Sequence, residues 1–241
     1  MNTVAVAVVC KTPIAGQSKT RLSPPLQPED CALLSACFIR DVASTIHSLY
    51  GAGDVTGYAV YTPTGSEPAL QALLPGGFRL LAQSSGDLGE RLIHAMADLL
   101  GAGHAAAVLV NADSPTLPRA ILQQAVDAVR SGDRMAIGPA LDGGYTLIGL
   151  SKPHPEVFTG IPWSTSSVYR DTLERARAIA LPVVEVPTWY DVDDLAALHV
   201  LEAEIGGTPP VCATPLTLAG DAPATRHFLS ARRDALAPTT P

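Results

Sequence analysis

The residues best suited to chemistry form a short basic segment near the start of the chain. Lys11 and Lys19 are two of only three lysines in the sequence, Arg21 follows them, and no acidic residue appears until Glu29. We expect Gly16 to let the backbone approach an anion. Lys19 and Arg21, two positions apart, would project from an extended loop to one side and hold the phosphate oxygens of a nucleotide. A solvated basic surface loop is the alternative.

Carboxylates follow two later segments of the chain and are candidates for binding Mg²⁺ or Mn²⁺. Asp113 comes after the apolar run 105–110 and is the leading ligand, since magnesium sites commonly use one or two carboxylates and complete the shell with phosphate and water. Asp191 and Asp193 would share one side of an extended segment and supply a second ligand, with Asp191 preferred. The alternatives are structural: Asp113 could cap a turn, and Asp193 or Asp194 could be a helix N-cap.

Two further segments carry groups suited to an acceptor molecule. Gly143 and Gly144 lie in a turn between two predicted strands and could bring backbone amides close to a ligand. Ser164, Thr165 and Ser166 precede a predicted helix, where hydroxyls and free amides suit a phosphate or a carboxylate. A plain hairpin turn and simple helix capping are the respective alternatives.

A third glycine-bearing junction, Gly86-Asp87, connects a predicted strand to a helix and is positioned to border the base or ribose of a nucleotide. The basic segment is neither a P-loop nor a Gly-x-Gly-x-x-Gly motif, and the chain has no Gly-x-Ser-x-Gly nucleophile motif. None of the six histidines has a spacing that marks a general base. The chemistry indicated is therefore positioning and charge stabilisation rather than covalent catalysis.

The elements that must position these groups alternate along the chain. Residues 4–9 are apolar at every position, which is typical of a strand covered on both faces in a parallel sheet. Repeated strand–helix units predict an α/β, Rossmann-like fold with a mostly parallel sheet and helices on both faces. Further strands are predicted at 55–61, 78–82, 105–110, 135–137, 145–150 and 183–186, and helices at 28–49, 68–74, 88–100, 118–130, 167–180 and 193–204.

Length and composition indicate one packed domain, because 241 residues with 47% hydrophobic content can bury a large core. We expect this domain to span residues 1–206, followed by a Pro/Thr/Ala-rich C-terminal appendage, residues 207–241, with one possible helix at 224–233.

Charge and cysteine usage restrict the partners. A net charge of -7 argues against nucleic acid, and no apolar run approaches the roughly 20 residues that span a membrane, so a nucleotide and a small-molecule acceptor are the expected partners. Four cysteines without metal or disulfide spacing favour a cytoplasmic protein. The sequence does not specify an oligomeric state.

The ordered set of motifs resembles one bacterial family over about residues 4–204. It is similar to the arsenosugar-biosynthesis or selenodomain-associated glycosyltransferases, within the nucleotide-diphospho-sugar transferase superfamily of GT-A fold. The segments that carry the resemblance are Lys19-Thr20-Arg21-Leu22, Asp113-Ser114-Pro115, Gly138-Pro139-Ala140, Asp142-Gly143-Gly144-Tyr145, Trp163-Ser164-Thr165 and Asp191-Val192-Asp193.

Two of these segments, Lys-Thr-Arg-Leu and Asp-Val-Asp, also resemble those of the 2-phospho-L-lactate guanylyltransferases, which transfer a nucleotidyl group. By that resemblance Lys19 and Arg21 would hold a triphosphate, and Asp113 and Asp191 would bind magnesium. Gly143 and residues 164–166 would then face the acceptor. Those guanylyltransferases lack the Asp-Gly-Gly-Tyr and Trp-Ser-Thr runs, so their phospho-acid acceptor does not carry over.

The residues and the resemblance together favour a magnesium-dependent nucleotide transferase with Lys19, Arg21 and Asp113 as its catalytic residues. We expect nucleotidyl transfer from an NTP to a small-molecule acceptor with release of pyrophosphate, because a triphosphate presents more charge to a basic loop. Glycosyl transfer from an NDP-sugar, which the family's usual description favours, is the alternative. A third possibility is a non-catalytic module that binds nucleotides without turnover.

Overall fold

A computed structural model describes residues 3–52, 54–215 and 217–236 of the chain. Its seven strands form one sheet and match the predicted strands to within two residues at each end. The strands are β1 (Val4–Lys11), β2 (Val55–Thr62), β3 (Arg79–Ala82), β4 (Ala106–Asn111), β5 (Met135–Pro139), β6 (Tyr145–Leu150) and β7 (Val183–Glu185).

The sheet has the strand order β3-β2-β1-β4-β6-β5-β7 and is mostly parallel, as predicted. β1 lies between β2 and β4 and is parallel to both, with Val6 aligned with Gly57 on one side and Val108 on the other. β6 is the exception, since it runs antiparallel between β4 and β5. Its direction follows from the short connection after β5, which is long enough only for a hairpin.

Helices cover both faces of the sheet, which explains why residues 4–9 of β1 are all apolar. Val4, Val6 and Val8 pack on one face, and Ala5 and Ala7 pack on the other. The helices are α1 (Pro28–His47), α2 (Glu67–Gln71), α3 (Leu88–Gly101), α4 (Arg119–Arg130), α5 (Val168–Ala178), α6 (Leu195–Ile205) and α7 (Pro223–Leu236). The α/β, Rossmann-like class is thus confirmed. In the described part of the chain, no helix has the length and apolar character needed to cross a membrane.

The last helix, α7, packs against the long first helix, α1. The buried carboxylate of Asp41 in α1 accepts hydrogen bonds from the backbone N–H groups of Ala224 (3.0 Å) and Thr225 (2.8 Å), so it caps the start of α7. Nearer the end of the helix, Arg232 forms an ion pair of 2.7 Å with Asp30. The C-terminal segment is therefore attached to the first helix at two points.

The strand ends position the candidate site. β1 and β4 are parallel, so their carboxyl ends lie at one edge of the sheet, and antiparallel β6 begins at that same edge. The chain leaves β1 for β2 on one side and later returns to β4 on the other side. A crevice opens outside the carboxyl ends of strands at such a reversal, and ligands of open α/β sheets bind there.

Candidate active site

A cleft of about 580 Å³ lies at this edge of the sheet. Its walls come from the segments after β1, β4 and β5 and from the segment before α6, which bring together residues far apart in sequence. The charged side chains that line it are Lys11, Lys19 and Arg21 with Asp113, Asp142, Asp191 and Asp193. The sequence-predicted basic segment and both predicted carboxylate segments therefore meet in one place.

Lys19 lies at the centre of this charge cluster. Its ammonium nitrogen is 2.8 Å from Asp113 Oδ1, 2.8 Å from Asp193 Oδ1 and 2.7 Å from the carbonyl oxygen of Val192. A lysine ammonium has three hydrogens, and these three acceptors use all of them. Only 6% of the side chain is exposed. Burial alone would lower the pKa of Lys19, but the two carboxylates outweigh it and raise that pKa, so the group stays charged.

The basic segment differs from its predicted shape. Residues Thr20–Leu22 form a turn of 3₁₀ helix and Lys19 adopts a left-handed backbone (φ 49), so the extended loop expected there is wrong. Apolar burial accounts for the change, because Leu22 is fully buried in the core and pulls the chain inward. As a result Lys19 and Arg21 do not act as a matched pair: Lys19 contacts carboxylates, while Arg21 is exposed at the cleft.

Two cations remain available to a ligand. Lys11 and Arg21 both line the cleft, are exposed, and form no ion pair with any residue in the described ranges. Gly16 has a positive φ of 74 that favours glycine, and its position is solvent-exposed and outside the cleft lining. Gly16 is therefore not placed to contact an anion in the cleft, as had been expected. Its positive φ instead allows the loop to turn.

Asp113 follows β4, as expected, and its carboxylate is 39% exposed towards the cleft. Its backbone oxygen accepts a hydrogen bond of 2.9 Å from the N–H of Val192. That bond joins the loop after β4 directly to the Asp191 segment, although the two are far apart in sequence. Asp113 is thus connected to residues 192–193, directly after Asp191, both through the main chain and through Lys19.

Asp191 is the most perturbed carboxylic acid of the cleft. Burial and the negative charges of Asp142, Asp193 and Asp113 raise its pKa to about 7. Four carboxylates share this region and Lys19 neutralises only part of their charge, so a further cation would relieve the repulsion. Asp142 was not among the sequence-predicted site residues, although it precedes the two glycines that were.

The two aspartates after Asp191 have different contacts, because Asp193 pairs with Lys19 and Asp194 caps a helix. Asp194 is the N-cap of α6, where its carboxylate accepts a hydrogen bond of 2.9 Å from the N–H of Ala197. Asp193 is not needed for capping and instead contacts Lys19. The structural alternative thus applies to Asp194 and not to Asp193.

The donor set fits a hard divalent cation. Within residues 3–52, 54–215 and 217–236, no three metal-binding side chains lie close enough to form a complete protein site. Magnesium does not require one, since it commonly uses one or two carboxylates and takes the rest from water and substrate phosphates. Asp113 and Asp193 reach the same ammonium, so their oxygens lie within twice 2.8 Å of each other. Asp191 lines the same cleft, so one or two of these carboxylates could bind Mg²⁺ or Mn²⁺ and leave the remaining positions to water and phosphate.

The predicted acceptor segments lie together on another wall of the cleft. Gly144, Ser164, Thr165 and Ser166 line it. Gly143 does not, but a Cβ atom there would lie 2.1 Å from the backbone oxygen of Ser166, so glycine is required for the two segments to pack together.

The turn that contains Gly143 and Gly144 is also held by local hydrogen bonds. The backbone oxygen of Gly143 accepts from the N–H of Tyr169 at 2.9 Å, which joins the turn to the first residues of α5. Asp142 Oδ1 accepts from the N–H of Gly144 at 2.8 Å and shapes the same turn. Residues missed by sequence reasoning complete this wall, namely Leu88, Leu92, Tyr145, Trp163 and Val168. Their apolar character alone did not distinguish them from core residues.

Gly86 and Asp87 do not line the cleft, contrary to the nucleotide-binding role expected for them. Asp87 is the N-cap of α3 in a capping box, in which it accepts from the N–H of Glu90 and Glu90 accepts from the N–H of Asp87, both at 2.9 Å. The spacing Asp-x-x-Glu before an apolar run is the sequence signature of this box, so the structural role was readable.

Comparison with known proteins identifies the family. Residues 45–165 match the family described as an uncharacterized protein conserved in bacteria (DUF2064). The chain is 31% identical to a crystal structure of a candidate nucleotide-diphospho-sugar transferase from Desulfovibrio desulfuricans G20, over 98% of this chain and 97% of that one, with a TM-score of 0.82. A search of curated proteins gives no significant match.

More distant structures share the fold. CMP:2-keto-3-deoxy-manno-octonic acid synthetase complexed with CTP is 12% identical over 86% of this chain and 100% of that one, with a TM-score of 0.54. 4-Diphosphocytidyl-2C-methyl-D-erythritol synthase from Anaerococcus prevotii DSM 20548 is 8% identical over 85% of this chain and 96% of that one, with a TM-score of 0.55. The fold is thus that of the nucleotide-diphospho-sugar transferases, and the chain belongs to the DUF2064 family.

Proposed function

We propose that the chain is a divalent-metal-dependent nucleotidyltransferase that takes an NTP and a small-molecule acceptor. The observation that carries the proposal is the meeting of Asp113, Asp191 and Asp193 with the exposed cations Lys11 and Arg21 in one cleft. Carboxylates and free cations that line one cleft suit a polyphosphate whose charge is shared between a metal ion and basic side chains. The 31% identical relative, named a candidate nucleotide-diphospho-sugar transferase, supports a nucleotide-dependent transferase without distinguishing the group that is transferred.

The roles follow from the contacts. Asp113 and Asp191 would hold Mg²⁺ or Mn²⁺, which when bound neutralises and orients phosphate oxygens. Arg21 and Lys11 would bind the outer phosphates. Lys19 would hold Asp113 and Asp193 in place rather than grip the triphosphate alone, because its three hydrogens already have acceptors.

The acceptor would lie against Gly144 and residues 164–166. Its oxygen would attack the α-phosphorus, the bond from that phosphorus to the bridging oxygen would break, and pyrophosphate would leave. Such chemistry is largely positioning and charge stabilisation, so it needs no protein nucleophile. We further propose that residues 1–206 form the transferase unit, that the C-terminal segment braces it, and that it works in the cytoplasm with its cysteines unpaired.

Glycosyl transfer from an NDP-sugar is the second candidate, and it is compatible with the name of the 31% identical relative. The reactions differ in their leaving group: an NTP releases pyrophosphate, whereas a sugar nucleotide releases a nucleoside diphosphate. The relation to arsenosugar-biosynthesis or selenodomain-associated glycosyltransferases is part of this second candidate.

The experiment is a product analysis. The protein is incubated with each NTP or with a panel of sugar nucleotides, with and without Mg²⁺, and with a small-molecule bacterial extract as the acceptor pool. We expect magnesium-dependent pyrophosphate from an NTP, lost in Asp113→Asn and retained in Asp133→Asn, whose carboxylate pairs with Lys152 at the surface. Nucleoside diphosphate from a sugar nucleotide, without pyrophosphate, would select glycosyl transfer. Nucleotide binding without any product would instead indicate a sensing module.

A further inference from the structure

A buried chain of hydrogen bonds runs behind the cleft and does not face it. Trp189 Nε1 donates to Thr116 Oγ1 at 3.2 Å, Thr116 Oγ1 donates to Tyr190 Oη at 3.3 Å, and Tyr190 Oη donates to Glu204 Oε2 at 2.5 Å. All four side chains are buried, with exposures of 0% for Trp189 and 9% for Glu204 at the extremes.

The direction of every bond in this chain is fixed. The indole N–H of Trp189 can only donate, so Thr116 accepts from it. At the other end, the Glu204 carboxylate can only accept, so Tyr190 donates its one hydrogen to Glu204. The Tyr190 oxygen must therefore accept from Thr116. Successive bonds of this kind polarise one another, so the chain acts as one unit.

The chain joins the two segments that carry the candidate metal ligands. Thr116 lies three residues after Asp113, and Tyr190 immediately precedes Asp191. Glu204 lies near the end of α6, which begins directly after the Asp191 segment. The side-chain network therefore lies beside the main-chain bond from the Val192 N–H to the Asp113 oxygen and adds a second connection between the same segments.

Burying the carboxylic acid of Glu204 costs free energy, and packing does not require an acidic residue at this position. Glu204 Oε1 has no hydrogen-bond partner among the described residues, and burial raises the pKa of Glu204. The C-terminal segment adds to this enclosure, since the N–H of Gly220 donates to the backbone oxygen of Thr116 at 2.9 Å. An apolar residue in place of Glu204 would avoid the cost but would leave the Tyr190 hydroxyl without its acceptor.

We propose that Glu204, acting through Tyr190 and Thr116, is a positioning residue that fixes the separation of Asp113 and Asp191 for a divalent cation. This inference rests on the proposed metal-dependent function. Groups behind metal ligands orient them, and their loss typically weakens metal binding about 10- to 100-fold.

The test measures Mn²⁺ affinity directly, by the electron paramagnetic resonance signal of free Mn²⁺, together with the unfolding midpoint of each protein. Tyr190→Phe and Glu204→Met remove parts of the chain, and Glu204→Gln keeps an acceptor oxygen. Tyr58→Phe is the matched control, because Tyr58 is also buried and its hydroxyl is hydrogen-bonded to His104 away from the cleft.

We expect Tyr190→Phe and Glu204→Met to raise the Mn²⁺ dissociation constant about tenfold or more, while Glu204→Gln stays within about threefold of wild type. Tyr58→Phe should lose stability without losing Mn²⁺ affinity. A Tyr190→Phe variant with wild-type Mn²⁺ affinity overturns the inference. If Glu204→Met does not fold, Tyr190→Phe alone tests the inference, because it preserves the shape of the side chain. A wild-type protein that binds no Mn²⁺, or an Asp113→Asn variant that binds it equally well, instead overturns the metal site itself.

Discussion

Replacing Lys19 with methionine should destabilise the protein far more than a surface lysine change. Methionine keeps much of the side-chain volume but removes the ammonium that contacts Asp113, Asp193 and the Val192 oxygen. Breaking a buried ion pair by removing one partner typically costs about 3–5 kcal/mol, because the remaining charge is left uncompensated. The two carboxylates are 39% and 46% exposed, however, so water can rehydrate them in part.

We therefore expect Lys19→Met to lower the free energy of unfolding by about 2–3 kcal/mol, somewhat less than for a fully buried pair. For a chain of this size the melting temperature should fall by about 4–12 °C. The assay is urea unfolding in metal-free buffer, followed by circular dichroism.

Lys152→Met is the matched control for this measurement. Lys152 pairs with Asp133 at 2.9 Å, almost the same distance, but its side chain is 65% exposed. Removing such a surface pair should cost less than about 1 kcal/mol. If Lys19→Met and Lys152→Met were equally mild, burial of the Lys19 ammonium would not be what stabilises the cleft, and the reasoning would fail.

Three further predictions test other parts of the structure. Asp191 has a raised folded-state pKa of about 7, so the stability linked to its proton is complete below about pH 4 and is lost as the pH rises through 7. Asp191→Asn should thus be more stable than wild type at pH 8 by about 1–2 kcal/mol in metal-free buffer, with the difference vanishing by pH 4; an equal difference at both pH values would contradict the assigned cause. Asp41→Ala removes the cap of α7, so amide hydrogen exchange should accelerate in α7 first; uniform acceleration across the chain would argue against a local cap. Gly143→Ala should cost about 1–3 kcal/mol more than Gly65→Ala in urea unfolding, since both have a positive φ but only Gly143 meets the Ser166 backbone; equal losses would show that the turn can relax.

The order of strands and helices could be predicted because each element carries its own local signal. The all-apolar run of β1 indicated a strand buried on both faces, and Pro28 with acids in the first turn marked the start of α1. The location of Asp113 after β4 likewise followed from the sequence. These features depend on neighbours in the chain and need no knowledge of tertiary contacts.

The partners of Lys19 could not be predicted in the same way. Asp193 lies 174 positions away from Lys19, and only the folded tertiary structure brings them within 2.8 Å. Glu204 had no visible signal either, because it lies on a helix with Glu202 two positions earlier and resembles an ordinary surface acid. The spacing of Asp87 and Glu90 was enough to predict the capping role of Asp87. The same residues also allowed an interpretation as a nucleotide-binding junction, and that interpretation was preferred.

The central claim is that Asp113 and Asp191 bind a divalent cation that connects the cleft to nucleotide phosphates. Its most direct test is calorimetric titration of each NTP into wild-type protein and Asp113→Asn, with and without Mg²⁺, with Asp133→Asn as the surface control. We expect an NTP to bind the wild type and Asp133→Asn in the presence of Mg²⁺. Binding should weaken about tenfold or more without Mg²⁺ or in Asp113→Asn. If neither the removal of Mg²⁺ nor Asp113→Asn changed the nucleotide affinity, a metal ion held by Asp113 would not be what binds the phosphates.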